Sequence, residues 1–226
     1  MANLKDQKDE PKVKVSNNGP YLVSGAVTLF EFTIGIDADG YSYEWRDGPQ
    51  YPAQENYALC RCGQSKNKPF CDGSHLKANF SGKETASREP YKYQARRIRG
   101  SNIELTDAQE LCAAARFCDR AGGIWSLTIH SSNPESKRIA IEEARNCPSG
   151  RLVVWDKEGK EIEPRFEKSI VIVKDPQEDM NGPIWVRGGI TIESTDGNAY
   201  EIRNRVTLCR CGKSYNKPFC DGSHCK

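Results

Sequence analysis

The sequence predicts an α+β chain in which two copies of a small β-rich unit flank a segment of mixed helix and strand. Three observations carry this reading. The chain repeats itself: Cys60-Arg-Cys-Gly-Gln-Ser-Lys-Asn-Lys-Pro-Phe-Cys-Asp-Gly-Ser-His75 recurs as Cys209-Arg-Cys-Gly-Lys-Ser-Tyr-Asn-Lys-Pro-Phe-Cys-Asp-Gly-Ser-His224, differing only at 64/213 and 66/215. The repeat extends upstream, where the Gly19-to-Leu29 block matches the Gly182-to-Ile192 block, and both blocks alternate apolar and polar residues, as strands do. Between the copies the pattern changes to helix starts and separate strand runs.

In chain order, residues 1–18 read as a mobile N-terminal arm, since they are mostly charged and polar. Residues 19–80 form the first β unit, with Asp39-Gly40 as a hairpin turn feeding the Cys-rich loop. Asp72 stands where an aspartate caps a short helix, and Asp221 repeats it. Residues 81–100 read as a connector whose basic run, Tyr91 to Arg99, is a solvated strand face. Residues 101–175 form the middle segment. There Thr106 to Gln109 is a capping box that opens a helix through the Leu111–Phe117 run. Asn133-Pro134 caps a second helix over Glu135–Arg145, and Arg151–Trp155 and Ser169–Val173 are strands. His130 reads as a strand histidine. Residues 182–226 form the second β unit, with Asp196-Gly197 as its turn.

Composition narrows the partners. The 226 residues are 37% hydrophobic and 28% charged, with a net charge of +2, so no broad field attracts nucleic acid or an anionic membrane. No stretch is long and apolar enough to span a bilayer, and Met1 to Ser16 lacks the apolar core of a secretory signal. A cytoplasmic, reducing location is the expectation, and there ten cysteines point to metal ligation rather than disulfides.

Each motif offers three thiols and an imidazole: Cys60, Cys62, Cys71 and His75, then Cys209, Cys211, Cys220 and His224. Only three histidines exist in the chain, and two fall at the same place in the two motifs. Thiolate and imidazole suit iron–sulfur clusters and structural zinc alike, although Cys-x-Cys is tighter than the usual zinc spacing.

The pattern Cys-x-Cys-x-x-Ser-x-x-x-Pro-x-Cys-Asp-Gly-Ser-His resembles the CDGSH iron–sulfur (NEET) family at every defining position, twice, and the Gly-Pro-x-x-Val-x-Gly blocks resemble those of its bacterial members. The resemblance implies two 2Fe–2S clusters. Cys60 and Cys62 would hold one iron and Cys71 and His75 the other; Cys209 and Cys211 pair likewise, as do Cys220 and His224. It also implies a small β-rich fold that pairs about a two-fold axis. Because this chain holds two copies, residues 19–80 and 182–226 are expected to pack as an intramolecular pseudo-dimer, giving a monomer. A histidine ligand makes such a cluster acid-labile, because protons compete for the ligating nitrogen. Lys66, Lys68 and Lys217 stand beside the sites as candidates for tuning the potential.

In the middle segment Cys112, Cys118 and Cys147-Pro148-Ser149-Gly150 resemble single-cluster bacterial ferredoxins and related ferredoxin-like domains. That implies a third cluster, 3Fe–4S or, with a further ligand, 4Fe–4S. The predicted helix conflicts with it. Six helical steps of about 100° put Cys112 and Cys118 on different faces, so binding requires that stretch to be loop. Cys225 reads as a terminal thiol outside these sets. The expected role is non-enzymatic electron transfer or cluster transfer to an unidentified protein partner, since no dinucleotide fingerprint, P-loop or triad is present. The alternatives are a redox- or pH-sensing metal-bound module and an electron-wiring subunit of an enzyme.

Overall fold

The computed structural model describes residues 10–178 and 180–225. The first half supplies β1 (Lys12–Val15), β2 (Tyr21–Ser24), β3 (Thr28–Ile36), β4 (Ser42–Gln50) and β5 (Tyr57–Leu59), then the motif loop and a short helix, α1 (Ser74–Lys77). A turn of helix, α2 (Tyr91–Gln94), leads into the middle segment: β6 (Arg96–Arg99), β7 (Glu104–Asp107), α3 (Ile124–Ile129), α4 (Pro134–Asn146) and β8 (Leu152–Trp155). The second half supplies β9 (Ser169–Asp175), β10 (Met180–Arg187), β11 (Thr191–Glu193) and β12 (Arg205–Leu208).

The two halves are related by a pseudo-two-fold and exchange one strand each. One sheet runs β11-β1-β2-β5 and the other β12-β10-β9-β3-β4. Thus β11 crosses to pair in parallel with β1, through Val13 opposite Ile192, and β3 crosses to pair in parallel with β9, through Phe30 opposite Val171. The exchange yields one shared core rather than two. Val13, Val15, Tyr21, Val23, Leu29 and Leu59 pack with Ile170, Ile172, Ile184, Val186, Ile192 and Leu208, all below 5% exposed. Full burial of each such side chain contributes about 1.5–3 kcal/mol, so neither half keeps its stability without the other.

This topology corrects two boundaries. Within residues 1–18 the arm assignment fails over Lys12–Val15, which form β1 with Val13 and Val15 fully buried; the first nine residues lie outside the described residues. Ser169–Asp175 is a strand as expected, but it belongs to the CDGSH core and not to the middle segment, as the pseudo-two-fold equivalent of β1. The turns are as read. Asp37 and Gly40 close the β3–β4 hairpin, with Gly40 at φ 85°, and Gly197 turns at φ 84°.

The middle segment is a three-stranded antiparallel sheet, β6-β7-β8, carrying α3 and α4 on one face. Ile103, Leu105, Ile124, Leu127, Ala140, Leu152 and Val154 form its own core. Helix α4 starts where the sequence places it. The Asn133 side chain accepts hydrogen bonds from the Glu135 and Ser136 N–H groups, with Pro134 at the first helical position. The other expected helix does not form. Thr106 lies within β7, where its hydroxyl bonds Tyr91 and Trp155. After one 3₁₀ turn, Gln109–Leu111, residues 112–116 are loop, with Ala114 at φ 54° and Arg116 at φ 60°. Tertiary contacts override the alanine propensity there. Arg116 donates twice to the buried Asp175 carboxylate (2.8 Å each), and Phe117 stacks on Trp45 at 4.8 Å. His130 is not in a strand: it ends α3, with Nδ1 2.9 Å from the Ser126 carbonyl. The basic run splits, with Tyr91 buried in α2 and only Arg96–Arg99 forming the solvated strand.

Candidate metal centres

Both motif loops are built by the same short-range bonds. The Cys60 and Cys209 N–H groups donate to the Pro69 and Pro218 carbonyls (2.8 Å each), and both Lys–Pro peptides, 68–69 and 217–218, are cis. The Ser65 hydroxyl donates to the Phe70 carbonyl (2.6 Å) and accepts from Asn67 N–H (3.0 Å); Ser214, Phe219 and Asn216 repeat this at 2.7 and 3.0 Å. Asp72 accepts from Ser74 N–H (3.0 Å) and Lys66 N–H (2.8 Å), joining helix start to loop start, and the Ser74 side chain together with these bonds holds its carboxyl well below the usual range. Asp221 does the same with Ser223 and Tyr215. The aspartate of the motif is therefore a clasp.

These loops bring the eight sequence-assigned donors together as four pairs. Cys60 and Cys62 sulfurs are 3.8 Å apart and Cys209 and Cys211 sulfurs 3.7 Å; Cys71 Sγ lies 3.4 Å from His75 Nδ1, and Cys220 Sγ 3.5 Å from His224 Nδ1. A tetrahedral metal with sulfur bonds of about 2.3 Å holds two sulfurs about 3.8 Å apart and a sulfur and an imidazole nitrogen about 3.6 Å apart. Each pair thus has the bite of one metal ion. Backbone N–H groups of Gln64 and Lys213 point at Cys62 Sγ and Cys211 Sγ (3.4 Å each), which favours the thiolate form, although at Cys62 burial outweighs this and raises the thiol. A hydrogen bond from Cys209 holds the Cys211 thiol down at about 7, against burial, and the same contact, with burial, raises Cys209. Burial raises Cys220 and lowers His224 below the usual histidine value.

The two loops touch across the pseudo-two-fold. A Cβ on Gly63 would lie 2.6 Å from the Cys211 carbonyl oxygen, and one on Gly212 would lie 2.8 Å from that of Cys62; both glycines also have positive φ. Only glycine permits this reciprocal approach. A cavity of about 220 Å³ beside the contact is lined by Cys60 and Lys68 from one loop and by Arg210, Cys211 and His224 from the other.

Arg61 and Arg210, the residues between the paired cysteines, were not among the sequence-predicted site residues, yet both are buried. Arg61 donates to the Ser16 (3.2 Å) and Gly82 (2.6 Å) carbonyls, and Arg210 to those of Gly182 (2.6 Å) and Val173 (3.2 Å). They tie each ligand loop to its strands. Their identity in both repeats was the available signal. Tyr21 adds a tie without a counterpart: its hydroxyl hydrogen is shared between the Cys209 (2.8 Å) and Pro218 (2.9 Å) carbonyls of the opposite half.

In the middle segment Cys112, Cys118 and Cys147 line one narrow recess of about 20 Å³, together with Ala113–Phe117, Pro148 and Arg151. The loop conformation of 112–116 is what brings Cys112 and Cys118 to the same place. Arg151 bonds the Asp107 carboxylate (2.5 and 2.9 Å) and also reaches the Cys112 thiol. Buried Arg205 on β12 fixes Cys147. It donates to the carbonyls of Ala144 (2.5 Å) and Cys147 (2.6 Å) at the C-terminal end of α4 and pairs with Glu163. None of the cysteines forms a disulfide. No helix of the described residues is long and apolar enough to cross a membrane.

An α+β core whose paired thiols and imidazoles have metal-chelating bites is the frame of a metal-binding protein, and the comparisons say which kind. Residues 18–76 and 181–225 match the family described as "Iron-binding zinc finger CDGSH type", and residues 98–157 match "Divergent 4Fe-4S mono-cluster". The chain belongs with the iron–sulfur-binding proteins, as two CDGSH units flanking a divergent 4Fe–4S-type segment. No curated protein and no solved structure matches it.

Proposed function

We propose that the chain is a non-catalytic iron–sulfur carrier. Cys60, Cys62, Cys71 and His75 would hold one 2Fe–2S cluster, Cys209, Cys211, Cys220 and His224 a second, and Cys112, Cys118 and Cys147 a third. The pairing of donors carries this reading. A mononuclear zinc site draws four protein ligands to one point, whereas a 2Fe–2S cluster takes two protein ligands at each iron. Here the donors meet two at a time at one-metal distances, and among the described residues no three His, Cys, Asp or Glu side chains share a metal position. When bound, such clusters supply one-electron redox chemistry or leave as cargo. The protein's part is to present thiolates with backbone N–H support, to exclude water by burying Cys60, Cys209 and Cys220, and to offer one proton-competent imidazole per site.

The three cysteines of the middle recess suffice for a 3Fe–4S centre, and a 4Fe–4S centre there needs one ligand from outside the triad. The strand-exchanged core supports a monomer, since each half already has its partner in the same chain. A cytoplasmic location and transfer to a protein acceptor complete the proposal.

Iron and acid-labile sulfide assays on anaerobically prepared protein test it. The expected count is about four irons for the two CDGSH sites plus about three or four for the middle segment. Stoichiometric zinc with little iron refutes it. Replacing Cys112, Cys118 and Cys147 by serine should remove only the third set of irons and its paramagnetic signal, leaving the CDGSH spectra intact.

A further inference from the structure

Lined by none of the eleven cluster-ligand candidates, a cleft of about 580 Å³ opens between the five-stranded sheet and α4. Its size is that of a small-molecule site. Its wall is aromatic: Trp185 packs at 5.0 Å from Trp45, 5.5 Å from Phe166 and 6.5 Å from Phe32. Its charge is cationic. Arg187 stands among these rings, 5.0 Å from Phe32 and Trp185 and 5.3 Å from Phe166, and its hydrogen bond is to the neutral Ser169 hydroxyl (3.1 Å). Arg145 lines the mouth and makes no ion pair among the described residues. Glu142, the carboxylate in the lining, is already engaged by Arg120 and Arg138. Trp45 spends its indole N–H on the Asn146 carbonyl (3.1 Å), whereas the Trp185 indole N–H, buried within the wall, has no acceptor.

We propose that this cleft binds a small planar aromatic anion, its ring against Trp45 and Phe166 and its acidic group facing Arg187 and Arg145. The chemistry of each wall selects one part of the ligand. Aromatic faces take a flat ring, and guanidinium groups over such faces stay available for a carboxylate. Burial lowers the Arg187 pKa and the Asp47 carboxylate offsets this only in part, so a bound anion would offset the rest. An acceptor on the ring that reaches the wall would also satisfy the Trp185 N–H. The position is adjacent to the middle site, because Asn146 of the cleft precedes Cys147.

The test is calorimetric titration of full-length, iron-loaded protein with 2-naphthoate and with its neutral carboxamide. The proposal expects one saturable site for 2-naphthoate and about tenfold or greater weakening for the carboxamide. Arg145→Glu, at an exposed position on α4, should weaken 2-naphthoate to a similar degree, and Arg187→Met should weaken it further. No saturable heat with 2-naphthoate overturns the proposal. Equal affinity for carboxylate and carboxamide also overturns it and assigns the cleft to apolar docking. Arg145→Glu binding as tightly as the parent overturns it as well. Iron and sulfide content are read separately, so failure here does not bear on the cluster assignment.

Discussion

The two CDGSH loops share their sequence and their internal bonds but not their surroundings. The first ends in α1, which projects from the fold: Leu76 is 77% exposed, Cys71 is half-buried, and a Cβ on Gly73 would meet open space. The second ends against the middle segment: Cys220 is 2% and Ser223 4% exposed, and a Cβ on Gly222 would lie 3.2 Å from the Cys112 carbonyl oxygen and 3.3 Å from Ala114. Asn216 also donates to the Glu110 carbonyl (2.9 Å). One loop design thus serves as an open site and a covered one, and the cover is the segment that carries Cys112. Under the proposed function, the first site would release a bound cluster more readily than the second.

The largest expected effect comes from removing the tie between the middle segment and the second half. Arg205 is 1% exposed and holds Glu163 and the α4 carbonyls. Arg205→Met should cost about 3–5 kcal/mol, because it leaves a paired carboxylate and helix-end carbonyls unsatisfied. Urea unfolding checks this, and a loss under ~1 kcal/mol would show that the middle segment docks by other means.

A smaller effect separates the loops directly. Gly73 and Gly222 have φ of 85° and 80°, so alanine at either position carries a similar backbone cost of about 1 kcal/mol. Only Gly222→Ala also crowds the Cys112 carbonyl and Ala114, which must give way by a few tenths of an ångström, adding about 1 kcal/mol of overpacking. Thermal unfolding of the two variants should therefore differ, and only Gly222→Ala should alter the paramagnetic signal of the middle site. Equal behaviour would mean the second loop is not packed against the cover.

The smallest effect concerns the support of the cover. Glu143 on α4 is fully buried, 3.8 Å from Arg120, and burial raises its carboxyl to about 8 from an ordinary 4.5. Between those values the folded protein keeps a proton that the unfolded chain has lost, so this group lowers stability as pH rises from 4.5 to 8. Glu143→Gln should match the parent near pH 4.5 and gain on it progressively toward pH 8. A constant difference across that range would show that Glu143 does not titrate there.

The motif chemistry was legible in the sequence because the repeat is nearly identical and its donors are chemically distinctive. What escaped was non-local. Lys12–Val15 and Ser169–Asp175 share little sequence, and their equivalence appears only when each pairs in parallel with a strand of the opposite half. The run Ala113-Ala114-Ala115 favours helix locally, yet Arg116 and Phe117 are held by Asp175 and Trp45, which are distant along the chain. That same misreading set Cys112 and Cys118 on different faces, whereas the loop places both at one recess. Arg205 carried no local signal, since its partners lie 42 to 61 residues away.

The inequality of the two CDGSH sites is tested most directly by the time course of cluster absorbance during mild acidification in the presence of an iron chelator. Protons compete with the metal for imidazole, and burial holds His224 below the usual histidine value, so the covered site needs more acid. The account predicts two phases of similar amplitude in the CDGSH absorbance, both faster at pH 5.5 than at pH 8. His75→Cys should slow the fast phase alone, and His224→Cys the slow phase alone. A single phase, slowed to the same extent by either substitution, would contradict it.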